Sequence, residues 1–196
     1  MNYLAHARLS FNDPPVLVGN MISDFVKGKK KFDYPSPILA GITLHRLIDN
    51  FTDDHPATKK AREFFHPHYR LYSGAFVDVV YDHFLARDTG EFPGDSLLTF
   101  SEDVYAHLES QQSWLPQPFS NMFQHMRSQN WLYHYHTRKG TEQSFGGVVR
   151  RAAYLQESDA AVQVFNEHYQ PLEECYRQFW SDVKRFAMRQ FEILRN

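Results

Sequence analysis

Apolar residues recur at intervals of three and four along almost the whole chain, and runs alternating every second residue are nearly absent. A three-to-four period turns one stripe of an α-helix toward a core, whereas a half-buried strand needs a period of two. "GITLHRLIDNFTDD" sets Ile42, Leu44, Leu47, Ile48 and Phe51 on one broad face. "SGAFVDVVYDHFLARD" does the same with Phe76, Val77, Val80, Tyr81, Phe84 and Leu85, with Ser73 as its expected cap and Gly90 as its stop. A third helix is expected through "SLLTFSEDVYAHLESQQSWL", closed by Pro116 and Pro118, and a fourth through "SNMFQHMRSQNWLYHYH". "GTEQSFGGVVRRAAYL" reads as a fifth with a bend at Gly146-Gly147. The last forty residues form one or two long helices, with Pro171 either kinking the chain or opening the second. "PPVLVG" reads as a turn leading into a helix. No repeat or long linker divides the chain, so residues 1–196 are expected to form a single all-α domain, a helical bundle around one core.

Several function classes are disfavoured at this stage. A formal net charge of −2 supplies no global field for nucleic acid. Cys175 stands alone, so neither an internal disulfide nor a zinc–thiolate cluster can form, which fits a reducing compartment. No stretch approaches the ~20 apolar residues that span a bilayer. The expectation is a soluble cytoplasmic protein with neither nucleic acid nor membrane as its partner.

Three places suit a purely structural bundle badly. His45 and Asp49 are four residues apart, so a 3.6-residue turn leaves them about 40° apart and able to address one point. Asp53 continues that line, while Arg46 points roughly 100° away. Asp78 and Asp82 also share a face, with His83 about 100° round from Asp82, so one ion does not take all three side chains directly. In "GNMISDFVKG", Asp24 sits between an apolar stretch and Phe25-Val26. One His–Asp pair on a helix is ordinarily a solvated surface pair, and a lone His6 is ordinarily a satisfied core histidine. Accumulation changes that balance, because several buried carboxylates cost several kcal/mol apiece without a cation. Imidazole and carboxylate ligands without thiolate suit Mn²⁺, Fe²⁺, Zn²⁺ or Mg²⁺. The residues alone thus indicate a helical metallohydrolase, with phosphoesters as a fitting substrate class.

Four blocks in the first ninety residues, "MNYLAHARLS", "GNMISDFVKG", "GITLHRLIDNFTDDHP" and "DVVYDHFLARD", closely resemble the bacterial acyl carrier protein phosphodiesterases in order and spacing. "SQNWLYHYHTRKG", "VVRRAAYL" and the C-terminal helix are also similar, so the likeness spans most of the chain. The resemblance implies an all-α fold distantly related to the HD phosphohydrolases and a divalent metal, typically manganese. It also implies hydrolysis of the phosphodiester that joins 4′-phosphopantetheine to a serine of holo-acyl carrier protein. The adjacent His-Asp dyad of the HD group is missing: Arg46 follows His45, and the order is reversed at Asp82-His83. The positions that match the closer family are His6, Asp24, His45, Asp49, Asp78, Asp82 and His83. From these the resemblance implies Asp24, His45, Asp49 and one of Asp82 or His83 as metal ligands. His6, with whichever of residues 78, 82 and 83 is left over, would orient ligands or carry protons. Asp24 would position the attacking water, Arg46 would balance charge on the phosphate, and His6 or His83 would serve as the acid.

An acidic carrier protein calls for a basic docking surface. "KGKKK" offers Lys27, Lys29, Lys30 and Lys31 just after Asp24. The alternative enzyme reading is a phosphohydrolase of nucleotides or other small phosphoesters. A helical binding protein without catalysis is the non-enzymatic one.

Overall fold

A computed structural model describes residues 1–195. Among the described residues every regular element is helical, as the apolar period predicts. In chain order they are α1 (Tyr3–Arg8), α2 (Pro14–Ile22), α3 (Ser36–Asp54), α4 (Pro56–Tyr69), α5 (Ser73–Arg87), α6 (Ser96–Ser110), α7 (Gln117–Ser128), α8 (Trp131–His134), α9 (Arg138–Arg151), α10 (Asp159–Glu167) and α11 (Tyr169–Arg195), with short 3₁₀ turns between some of them.

Helix α5 is the hub. Its expected apolar face is buried, but so are Val79, Asp82, His83 and Ala86. A helix covered nearly all round must satisfy its polar side chains inside the protein, which explains the mixture of charge and bulk in "DVVYDHFLARD". Helices α1, α4, α9 and α11 pack around it. On α11, Leu172, Cys175, Tyr176, Phe179, Val183, Ala187 and Phe191 keep the three-to-four spacing and bury one stripe against α3, α4 and α5. Pro171 opens this helix, lying in its first turn, where a missing N–H breaks no intrahelical bond.

Four local expectations are corrected. "PPVLVG" is itself the start of α2, because Asp13 Oδ1 accepts from Val16 N at 3.1 Å and both prolines fall in the first turn. Ser73 does not cap α5; its hydroxyl donates to the Arg70 carbonyl, and the helix ends at Arg87, before Gly90. The fourth expected helix is two, α7 and α8, broken where Asn130 turns left-handed at φ 43 and ψ 59. Helix α9 runs through Gly146-Gly147 without interruption.

Helices α2 and α3 pack backbone against backbone. A Cβ built on Gly19 would lie 2.0 Å from the Ile38 carbonyl oxygen, and one on Gly41 would lie 2.2 Å from that of Val16. Only glycine permits two helix backbones to touch in this way. The crossing brings Asn20, next to Gly19, beside His45, one turn beyond Gly41. No described helix is long and apolar enough to cross a membrane.

Candidate metal centre

Two imidazoles from different helices lie face to face at the α2–α3 crossing. The rings of His6 (α1) and His45 (α3) stack with centroids 3.8 Å apart and planes 13° from parallel. One residue of α2 orients both. His6 Nδ1 donates to Asn20 Oδ1 at 2.8 Å, and His45 Nδ1 donates to the Asn20 carbonyl at 2.7 Å. The Asn20 amide has a single orientation, since its Nδ2 donates to the His6 carbonyl at 2.9 Å and to Ser10 Oγ at 3.1 Å. Both partners of the Nδ1 atoms are therefore acceptors, so each imidazole keeps a proton on Nδ1 and leaves Nε2 as the atom a metal could take.

Both Nε2 atoms converge on Asp49, one turn after His45. His6 Nε2 lies 3.2 Å from Asp49 Oδ1, and His45 Nε2 lies 3.0 Å from Oδ2. The His6 atom is buried and makes no well-formed hydrogen bond there. One ligand atom from each of His6, His45 and Asp49 falls within a 4.8 Å spread, the size of a cation site. Asp24, on the 3₁₀ turn Ser23–Phe25, adds a carboxylate with Oδ1 3.2 Å from His45 Nε2. The imidazoles are sealed in, while 68 % of the Asp24 side chain and 36 % of the Asp49 side chain are exposed. A centre closed on its imidazole side and open on its carboxylate side has room for substrate and water.

The charges follow the same layout. Burial opposes protonation of His45, but hydrogen bonds to Asp24 and Asp49 outweigh it and push its pKa up to about 9. Burial, then the neighbouring His45 charge, pushes His6 down to about 4. Burial also opposes ionisation of Asp49, yet the Met1 ammonium and the two imidazoles hold its carboxyl far below the usual range. Asp24 is drawn down by its hydrogen bond to His45.

The remaining candidates lie outside this group. The Met1 ammonium sits 3.0 Å from Asp49 Oδ1 and 3.4 Å from Asp78 Oδ1, so Asp78 meets the cluster through that cation. Burial pushes the Asp78 carboxyl upward against the pull of the ammonium. Asp82 accepts from the backbone N–H groups of Leu4 and Ala5 at 2.8 and 3.1 Å, which anchors the start of α1. Burial pushes its carboxyl up to about 8 despite those donors. His83 faces elsewhere, with Nδ1 donating to the Tyr135 carbonyl at 2.8 Å and Nε2 accepting from the Tyr169 hydroxyl at 2.9 Å. His6 thus stands with His45 and Asp49, while Asp82 and His83 hydrogen-bond to the scaffold. The Arg46 guanidinium donates to the Val26 carbonyl at 2.8 Å and so ties down the segment that follows Asp24.

Asn20 is the residue the sequence reading missed. Its signal was present, for it is the lone polar side chain in the buried run Val16–Ile22.

An all-helical scaffold that presents two oriented imidazoles and two carboxylates, one half open to solvent, defines a hydrolase-type centre suited to a divalent cation. The sequence comparisons narrow the class. A family model described as acyl carrier protein phosphodiesterase matches residues 1–183, and the chain belongs to that family. A relative of that name from Yersinia pestis is 32% identical over 188 residues, covering 95% of this chain and 97% of its own. Relatives of the same name from an Enterobacter strain and from Escherichia coli O6:H1 are 34% and 31% identical, covering 92% and 96% of this chain and 94% and 98% of theirs. No solved structure matches the chain.

Proposed function

We propose that the chain hydrolyses the phosphodiester linking 4′-phosphopantetheine to the serine of holo-acyl carrier protein, releasing the apo-protein and free 4′-phosphopantetheine. The observation that carries the chemistry is the pair of Nε2 atoms, fixed by Asn20 and turned on Asp49. Lone pairs and carboxylate oxygens that face each other in a buried setting repel unless a proton or a cation lies among them. His6, His45 and Asp49, with Asp24 at the rim, would hold a divalent ion, for which Mn²⁺ suits the mixed imidazole and carboxylate donors. When bound, such an ion supplies positive charge to the phosphate oxygens and makes water easier to deprotonate near neutral pH.

The chain's own groups do the rest. Asp24 is exposed and ionised, so it can orient the attacking water and accept its proton. As the phosphorus–serine bond breaks, the same carboxyl returns that proton to the departing oxygen. Asp78 and Asp82 hold the surrounding backbone and counter-charge, and Arg46 holds the rim on which Asp24 stands.

Docking of an acidic helical partner falls to the segment after that rim. Lys27, Lys29 and Lys30 are exposed on or beside the 3₁₀ turn Gly28–Asp33, while Lys31 lies over the Phe32 ring at 5.1 Å. Among the described residues none of the four makes an ion pair, so their field is available to steer a partner. The test is to incubate holo-acyl carrier protein with the purified chain and Mn²⁺ and to weigh the carrier. Loss of one 4′-phosphopantetheine, abolished by a chelator, is expected; a carrier of unchanged mass contradicts the reading.

A further inference from the structure

A cavity of about 610 Å³ is lined by chain neighbours of the metal centre and has no part in the chemistry proposed for it. Its near end is set by chain neighbours of the centre: Phe25 follows Asp24 directly, and Tyr3 precedes His6 by one turn of α1. The Tyr3 hydroxyl lies within electrostatic reach of both Asp24 and Arg151. The remaining walls come from α7, α8 and α9.

Two features of α9 have no structural reason within the fold. The first is Gly146-Gly147, a pair that weakens a helix interior. Gly140 on the same helix has a packing reason, since its Cβ would fall 2.1 Å from the His134 carbonyl. At Gly146 and Gly147 a Cβ would meet only the flexible end of Arg150, at 3.4 and 3.6 Å. The only group over that bare backbone is therefore the movable Arg150 guanidinium, and both glycines line the cavity. The second feature is the pair Arg150 and Arg151, both exposed and both on the lining. Among the described residues neither makes an ion pair. No aspartate or glutamate lines the cavity, so its charge is uniformly positive. Trp131 and Met122 supply apolar wall, and the amide of Gln143 supplies a donor and an acceptor.

We propose that this cavity receives the arm of the substrate, a linear phosphoester chain bearing neutral amides, with Arg150 and Arg151 against its phosphate and the Gly146-Gly147 face making room for the chain. The assignment rests on the phosphodiesterase reading and adds where the arm lies and what holds it. An anion at one end matches the unpaired guanidinium groups, a flexible chain matches the glycine face, and amides match Gln143.

The test is calorimetric titration of 4′-phosphopantetheine into the full-length chain, with pantetheine and inorganic phosphate as separate probes. Saturable binding of 4′-phosphopantetheine is expected, at least tenfold tighter than either fragment. Arg151→Gln should weaken it about tenfold while leaving pantetheine binding unchanged. Gly146→Leu fills the cavity with a better helix former, so binding and KM for holo-carrier protein should worsen at least tenfold with no fall in melting temperature. If the wild-type chain cleaves holo-carrier protein while Gly146→Leu leaves both KM and binding unchanged, the cavity assignment is overturned and the function stands. Inorganic phosphate binding as tightly as 4′-phosphopantetheine would also overturn it, leaving an anion site only. Should the chain bind 4′-phosphopantetheine in this manner yet leave holo-carrier protein uncut, the cavity is supported and the function reading fails.

Discussion

Asn20 decides which nitrogen each imidazole of the centre offers. Its side-chain and backbone oxygens take the Nδ1 protons of His6 and His45, so removing the side chain frees His6 directly and loosens the turn that holds His45. Asn20→Ala should therefore cost 10- to 100-fold in Mn²⁺ affinity, the usual effect of losing a group that orients a histidine ligand. Calorimetric titration of Mn²⁺ checks this, and an unchanged affinity would remove Asn20 from the account. A second consequence concerns pH. Without metal the His45 pKa is raised to about 9, so at pH 7 the ring carries a proton that an incoming cation must displace. Affinity should rise roughly tenfold per pH unit through neutrality and level off near pH 9, with about one proton released per ion bound. Titrations in buffers of different ionisation enthalpy count that proton. The His45–Asp49 pair was legible from sequence because four residues apart is a local relation on one helix. The place of Asn20 was not, because it depends on a crossing between two helices.

At the scale of elements, the crossing of α2 and α3 sets the geometry of the centre. Gly19 and Gly41 let the two backbones touch, and a methyl group at Gly19 would overlap the Ile38 carbonyl. Gly19→Ala should destabilise the fold by about 3 kcal/mol and weaken metal binding together, since Asn20 and His45 separate when the helices part. Chemical denaturation and metal titration on the same sample test the coupling; lost stability with intact metal affinity would break it. Asp82 works at this scale too, holding the first N–H groups of the short α1 and with it His6. The family resemblance implied one of Asp82 or His83 as a metal ligand, and periodicity put Asp82 on one helix face with Asp78. Backbone donors of another helix, which no periodicity reveals, claim its oxygens instead. Helices α3 and α5 stood out by strong apolar stripes. Helix α4 did not, because "PATKKAREFFHPHY" is polar and contains prolines at both ends. Its start is set by Pro56 in the first turn and by His55 Nδ1, which accepts from Ala57 N at 3.2 Å.

For the whole molecule, a near-zero net charge conceals an uneven surface. Lysines cluster after Asp24, and two arginines line the neighbouring cavity. Replacing Lys27, Lys29 and Lys30 by Gln should slow association with holo-carrier protein several-fold at low ionic strength and flatten its salt dependence, leaving metal affinity unchanged. Stopped-flow association over a salt series measures both; an unaltered rate in dilute buffer would eliminate steering by this segment. The all-α class was legible, because it follows from the period of the apolar residues. Where the ligand atoms converge was legible only in part, because that depends on packing between helices. The most direct measurement of the central claim is anomalous diffraction from crystals grown with Mn²⁺. The account predicts one strong peak bonded to the Nε2 atoms of His6 and His45 and to a carboxylate oxygen of Asp49. An ion held by Asp82 and His83 instead, with those two Nε2 atoms bare, would contradict it.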